Sequence, residues 1–555
     1  MSTEPSLGNA VTTEPDQAGG LADGSGVFTR RSSGLVRELG IPTSVGVALG
    51  SVIVISTFIN FYAGLTGFTR ADMILPLLVA AAIWTVALFA YRYLIEAMPR
   101  DGGEYLFLSR VVSPAVGAMV GIGMVVFFAY QLSAVAHYAA QWTPFMLTTL
   151  GDAFSSSSIA NAANNVTGHT AILLIGVGTL LVCAVGAFLP VRQIGRVLVF
   201  LVALQALAFV VLGVLLIDHS HADFVAAFAR FSHHPNAYSA LISTATRAGI
   251  PLGTSFVAML GLIPVMVLNF NGSLYAYYMG GELRRPTRTY TWASAISIGV
   301  LVVLWLGIWL LMRHTIGLHF MQAQSNLGNS NASAYGKISS LEANAGGLGY
   351  GVVLSGDPVT KILLGTAIPL SSAATVIVFI AVLARVLFAL AFDRLLPIQV
   401  AKVSARNHAP TVAIIIALIG GLAFTVVTTY VNLTNIVANL ALFYALILLA
   451  GGVAATFLPL RRPDLMLRPG ETDVQRWGPV PRATLVGGAT TLLAALTVVL
   501  IITNASVFGS LTVASVTSLI VIFLSGPVIY AIARTVRRRQ ASIDLKLAFR
   551  QLPPE

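Results

Sequence analysis

The sequence predicts an all-α polytopic membrane protein with about 12 transmembrane helices. They form a 5+5 inverted repeat with discontinuous helices 1 and 6, followed by two C-terminal helices. Three observations carry this prediction. The 555 residues are 56% hydrophobic and only 10% charged, with mean hydropathy +0.85, too apolar and too poor in charge for an ordinary soluble protein. Apolar runs recur, and most reach the roughly 20 residues that a bilayer crossing needs. Two of these runs are interrupted midway by polar or Gly-rich residues, at corresponding places in the two halves of the chain.

Residues 1–36 are rich in Gly, Ser, Thr and acidic residues. They cannot bury a core and read as a disordered tail. No short apolar core follows a basic start, so no cleavable signal peptide is expected. Arg30, Arg31 and Arg37 precede the first apolar run and hold the N-terminus in the cytoplasm. The expected spans lie near 43–66, 72–97, 114–142, 170–189, 195–217, 254–280, 290–312, 361–391, 410–430, 433–458, 485–503 and 511–534. The membrane domain is then 37–534, with repeat one at about 43–217, repeat two at about 254–458 and helices 11 and 12 at about 485–534. Residues 535–555 form a basic cytoplasmic tail. Every expected inner loop carries Arg or Lys, from Arg100 and Arg110 to Arg537, Arg538 and Arg539. Span count and orientation thus support each other, with both termini cytoplasmic in a multi-pass plasma-membrane protein.

The net charge of +11 sits in short loops between apolar runs, which is the positive-inside pattern and not a nucleic-acid groove. The single Cys183 lies in an apolar run, which excludes an intrachain disulfide and a Cys-based metal site. The loops 151–169 and 313–360 are rich in Gly, Asn and Ser. The longer one reads as a mobile insertion or a lid, with composition favouring the insertion.

The central stretch runs from Gly261 to Arg288, GLIPVMVLNFNGSLYAYYMGGELRRPTR. Asn269, Phe270, Asn271, Gly272 and Ser273 interrupt an apolar segment. Freed backbone at that depth needs a cavity, and carriers place their sites at such breaks. A helix whose Asn and Ser bond a neighbouring helix is the alternative. In span 1, Gly50-Ser51 and Ser56-Thr57 hold the corresponding place. The correspondence between halves is one of pattern, without residue-level identity.

Three stretches carry a family resemblance. Met98-Pro99-Arg100-Asp101-Gly102-Gly103-Glu104-Tyr105 resembles a Pro-x-x-Gly-Gly-x-Tyr loop. Phe270-Asn271-Gly272, then Glu282 and Arg285-Pro286-Thr287-Arg288, resembles Phe-x-Gly…Glu-x-x-x-Pro-x-Arg. The run from Arg385 to Pro397 is similar to Arg-x-Leu-x-Ala-x-x-x-Asp-x-x-Leu-Pro. In this order they resemble the amino acid–polyamine–organocation (APC) superfamily of permeases, over spans 1 to 10. The resemblance implies a LeuT-type inverted repeat and secondary transport of an amino acid or related small organic solute by alternating access. Gly102 and Gly103 allow a tight turn with positive φ. Gly102, Gly103, Glu282, Arg285, Arg288, Arg385 and Asp393 read as cytoplasmic gate or scaffold, with Glu282 facing several arginines. Arg385 and Asp393 lie two turns apart on one helix face.

Two departures from the family pattern bear on chemistry. The family's Gly-Ser-x-x-Gly-x-Gly-x-Phe is here Gly50-Ser51-Val52-Ile53-Val54-Ile55-Ser56-Thr57-Phe58. Val54 and Ser56 replace the glycines that let backbone N–H groups approach a substrate carboxylate. A permease of the same fold for a non-amino-acid solute is therefore a second reading. In span 5, Gln205 falls where many proton-coupled members carry a lysine, and Gln cannot titrate.

The site is expected between spans 1, 3, 6, 8 and 10: Ile53, Val54, Ile55, Ser56, Thr57, Gln131, Phe270, Asn271, Gly272, Ser273, Ser372 and Asn439, with Asn435 a further candidate. No Asp, Glu or Lys is expected at the middle of a span, which favours a neutral or anionic solute over a polyamine. His137 is the titratable candidate for coupling. Sodium on carbonyls of span 1 and hydroxyls of Ser371, Ser372 and Thr375 is the other option, so H+ and Na+ both stay open. No cofactor or metal centre is expected. His233-His234 lacks an acidic partner at ligand spacing, which argues against a membrane enzyme. No ring of charge suggests a channel. The partners are a small-molecule solute and the lipid bilayer.

Overall fold

A chain in hydrocarbon must satisfy its own backbone groups, so long apolar runs become helices. The computed structural model describes residues 33–52, 64–431, 440–467, 474–508, 512–541, 545 and 549–553. In order, the principal helices are α1 (Ile41–Gly50), α2 (Ile74–Ala97), the short α3 (Glu104–Val111), α4 (Pro114–Gln141), α5 (His169–Ala187), α6 (Val191–Asp218), α7 (Phe256–Asn269), α8 (Pro286–Thr315), α9 (Pro358–Phe392), α10 (Thr411–Tyr430), α11 (Leu440–Arg461), α12 (Arg482–Thr503) and α13 (Val513–Ala541). Among the described residues, eleven helices are long and apolar enough to cross a membrane. The expected first span appears as α1 and a helical turn at 64–67. Between them, Ile53 to Thr57 lie outside the described residues, as do Asn435 and Asn439.

The core is built on α9. Its 35 residues are almost continuously apolar, and the most apolar stretch is wholly buried. A helix that is apolar all round belongs inside. The outer helices differ. α5, α12 and α13 leave Val182, Val185, Leu492 and Val521 more than half exposed, the surface expected against lipid tails.

The loop 313–360 is a folded cap and not a mobile insertion. Helices Leu318–Ser330, Ala332–Gly336 and Gly346–Leu354 pack on two helices that precede α7, His221–Phe231 and Ala237–Arg247. The reason is an aromatic cluster that neither segment could form alone. The rings of Tyr238 and Phe320 stack 4.6 Å apart, and Phe224, Phe228 and Tyr350 pack edge-on around Phe320 and Phe224. Residues 151–169 are likewise largely helical. The cap is tied to the body by side-chain amides. Gln322 Nε2 donates to the carbonyls of Ala71 (3.1 Å) and Gly253 (2.8 Å), and Asn326 Nδ2 donates to Leu65 O (3.2 Å). Asp72 accepts from Trp309 Nε1 at 2.8 Å and pairs with Arg313.

The opposite face carries the first and last described segments of the chain. Leu39 N donates to Glu282 O (2.9 Å), and Leu39 O accepts from Arg284 N (3.0 Å). Arg100 Nε donates to Pro553 O at 2.7 Å, and the Arg110 guanidinium lies 5.0 Å over the Phe549 ring. We refer to this as the tail face and to the other as the cap face.

Candidate functional site

The sixth span breaks where its polar residues stand. α7 ends at Asn269, a 3-10 helix runs over Asn271–Tyr278, and a second short one covers Gly280–Glu282. Pro264 within α7 removes one ladder donor. Side chains take over near the break: Trp84 Nε1 donates to Val267 O (2.8 Å) and Asn271 Nδ2 to Leu268 O (2.6 Å). Phe270 is fully buried with its ring edge-on to Trp305, 5.0 Å away.

This break meets the end of α1. A Cβ on Gly272 would stand 1.9 Å from Ser51 Oγ, 2.8 Å from Val52 and 3.1 Å from the Ala48 carbonyl, so only glycine allows this approach. Ser51 Oγ closes α1 by donating to Ala48 O at 3.1 Å. The Gly50 carbonyl points to α9 and accepts from Thr375 Oγ1 at 3.1 Å. Several buried polar atoms on these elements lack hydrogen-bond partners: Ser273 Oγ, Asn271 Oδ1 and both amide atoms of Gln205 on α6. Unpartnered buried polar atoms call for a ligand, a water or a strain.

Beside the break, Gln131 Nε2 donates to Tyr444 OH (3.2 Å), which shares a hydrogen bond with Tyr275 OH (2.7 Å). The chain joins α4, α11 and the 3-10 segment. Phe128 packs edge-on against both Tyr275 and Tyr278. Other candidates fall elsewhere. Ser372 Oγ bonds back to Ile368 O (3.0 Å) within α9, the packing use of a membrane serine. His137 is half-buried on α4, with Nδ1 unpartnered. Trp84 supports α7, whereas Trp142 packs against Phe145.

The tail face holds buried carboxylates that the sequence reading did not place in the interior. Gly102 and Gly103 adopt φ of 112° and 56°, which lets the chain fold beneath the broken helix. A Cβ on Gly103 would strike the Tyr278 ring at 2.4 Å. Asp101 Oδ1 accepts from Gly281 N at 2.8 Å, and burial, then the nearby Glu282 carboxylate, pushes Asp101 up to about 8. Glu282 is held by Arg385 at 3.0 and 3.2 Å, and Asp393 by Arg110 at 2.5 and 2.7 Å with Tyr105 OH at 2.6 Å. Arg385 and Asp393 therefore do not act together along one face: Asp393 lies past the end of α9 and turns to α3. Glu282 faces a single arginine, Arg385, while Arg285 and Arg288 are exposed and make no ion pair among the described residues. The short polar loop placed them near the rim, but their position at the start of α8 turns them outward.

Glu104 is fully buried at the start of α3. Its Oε1 accepts from Tyr91 OH (2.6 Å) and Tyr277 OH (2.5 Å), while Oε2 has no partner. Burial pushes the carboxyl up, and the phenol donors oppose that. The signal for it was the Gly-Gly-Glu-Tyr motif itself, read as a rim loop because its depth depends on Tyr91 and Tyr277. Asp101, Glu104, Glu282 and Asp393, and Asp72 on the cap face, are buried, yet none lies within a membrane-spanning helix, where no carboxylate was expected at mid-depth.

A family model described as amino acid permease matches residues 44–544. No curated protein matches the chain.

Proposed function

The chain belongs to the amino acid permease family, and on that premise we propose that it moves an amino acid or related small organic solute across the plasma membrane by alternating access. The observation that carries this reading is the contact of the end of α1, Ser51 and Val52, with Gly272 in the break of the sixth span, beside buried polar atoms without partners. Main-chain groups released at such breaks bind a solute's charged ends without competition from their own helix. Ser273, Asn271 and Gln205 supply hydroxyl and amide groups, and Phe270 an apolar wall. Gln131 acts through Tyr444 and Tyr275, the hydrogen-bonded chain that stands beside the break. From the sequence, Ile53, Val54, Ile55, Ser56, Thr57 and Asn439 are further candidate partners, and they lie outside the described residues.

Alternation requires one face to open while the other stays shut. The Glu282–Arg385 and Asp393–Arg110 pairs hold the tail face, which we assign to the cytoplasm. A second reading, a solute without an α-amino acid head group, is favoured by Val54 and Ser56 in place of glycine. Counterflow in liposomes loaded with the standard amino acids tests both. The expected result is saturable exchange of an amino acid by the wild type and its loss in a correctly folded Gly272→Val. Absence of exchange across the whole set would overturn the amino acid reading in favour of the second.

A further inference from the structure

We propose that Glu104 is a proton-binding site, and that the proton it holds is exchanged as the broken segment of the sixth span moves during transport. Every other buried carboxylate of the tail face is matched to a cation or a backbone donor: Glu282 to Arg385, Asp393 to Arg110, Asp101 to Gly281 N. Glu104 has neither. Among the described residues no guanidinium, ammonium or imidazole pairs with it, and its hydrogen-bonding partners are phenols. An ionised carboxylate removed from water without a compensating charge is strongly disfavoured and takes up a proton instead. Oε2, buried and unpartnered, is the atom on which that proton sits.

The groups around the carboxyl come from three packed elements. α2 presents Tyr91; the 3-10 segment presents Tyr277 and Tyr278, with Tyr275 further along; α8 presents Tyr290. Along α3 itself, Arg110 is bound to Asp393, and Tyr91 OH also reaches the Ile447 carbonyl of α11 at 3.5 Å. All the facing groups are neutral phenols, so the charge on Glu104 is set by how many of them donate to it. Tyr91 belongs to a continuous helix, whereas Tyr277 rides on the broken segment. Displacing that segment removes a donor from Oε1 and tightens the hold on the proton. Returning it loosens the hold and eases exchange of the proton with water on the tail face. Two states of one element with different proton affinity are the requirement for coupling. The coupling role rests on the transport reading above, whereas the proton site does not.

Infrared titration of the purified protein reads the proton directly. The expected result is a protonated-carboxyl band at neutral pH, separated from that of Asp101 in an Asp101→Asn background, that is absent once Glu104→Gln is added. In Tyr277→Phe the band should persist to higher pH, because the phenol favours the anion. A band unchanged by Glu104→Gln, or no such band in the wild type, would overturn the site. Proteoliposomes containing a trapped pH dye, challenged with the standard amino acid mixture, read the coupling. One proton per neutral solute under a one-unit gradient sustains at most about tenfold accumulation. Glu104→Gln is expected to lose that accumulation and keep counterflow, and wild-type accumulation in this variant would overturn the coupling. If the variant does not fold, Tyr277→Phe carries the test alone, and an unshifted band overturns the site. Absence of any exchange by the wild type, with the band present, would overturn the amino acid reading and leave the proton site standing.

Discussion

On the tail face, the Arg385–Glu282 and Arg110–Asp393 pairs are at most 1% exposed. On the cap face, the Arg313–Asp72 pair leaves its guanidinium 43% exposed and the Lys361–Asp152 pair leaves its carboxylate 53% exposed, and side-chain amides and stacked rings add further ties. The difference is one of response. Removing one member of a buried pair strands the other's charge, a penalty far larger than the net contribution of the intact pair. Neutral amide ties are lost one at a time. The tail face is therefore built to be fully closed or fully parted, and the cap face to loosen by degrees.

The sharpest way to break this comparison is Asp393→Ala, which leaves Arg110 buried and unmatched. A loss of about 3–5 kcal/mol is expected, read as a lowered unfolding temperature in detergent. Arg110→Met with Asp393→Leu should recover most of it. On the cap face, Gln322→Ala leaves the carbonyls of Ala71 and Gly253 without their donor. About 1–3 kcal/mol is expected, read as faster hydrogen exchange over residues 318–354 with α9 unaffected. If α9 exchanged equally fast, the cap would not be a separable unit.

A smaller effect comes from pH. Asp101 sits at about 8 in the folded protein, against roughly 3.9 for an unperturbed Asp. The folded state binds the extra proton, so its contribution is full below pH ~4 and is lost as pH rises to about 8. Thermal stability should fall across that window, and Asp101→Asn should flatten the slope. The smallest effect is expected for Arg313→Ala, under about 1 kcal/mol, because its guanidinium is already half in water and Asp72 keeps Trp309 as a donor. A loss as large as that of Asp393→Ala would erase the distinction between the faces.

Much of this arrangement was readable from local pattern. The apolar runs located the spans, the cluster Asn269 to Ser273 located the break, and Gly102-Gly103 announced a turn with positive φ. What local pattern could not supply was pairing across the chain. The composition of 313–360 suggests mobility because the rings that bury Phe320 and Tyr350 belong to a segment about a hundred residues earlier. Arg385 looked like a companion of Asp393 because they are close in sequence, yet each turns to a different element. Glu104 looked like a rim residue because nothing within its own loop buries it. Of the candidate site, Phe270 to Ser273 and Gln131 come together around the break, whereas Ser372 bonds within its own helix.

The Arg110–Asp393 pair also sets an order of assembly. Its members are 283 residues apart in the chain. At about 5–20 residues per second of synthesis, Arg110 waits roughly 14–57 s for its counter-ion. During that interval an arginine without its carboxylate stays where water can reach it, so α3 rests at the interface while later helices enter the bilayer. The N-terminal half thus cannot settle into its final depth by itself. Arrival of α9, bearing Arg385 for Glu282 and followed by Asp393 for Arg110, is the event that draws both halves together. A nascent chain stalled before residue 393 should leave Arg110 open to labelling reagents that the finished protein excludes.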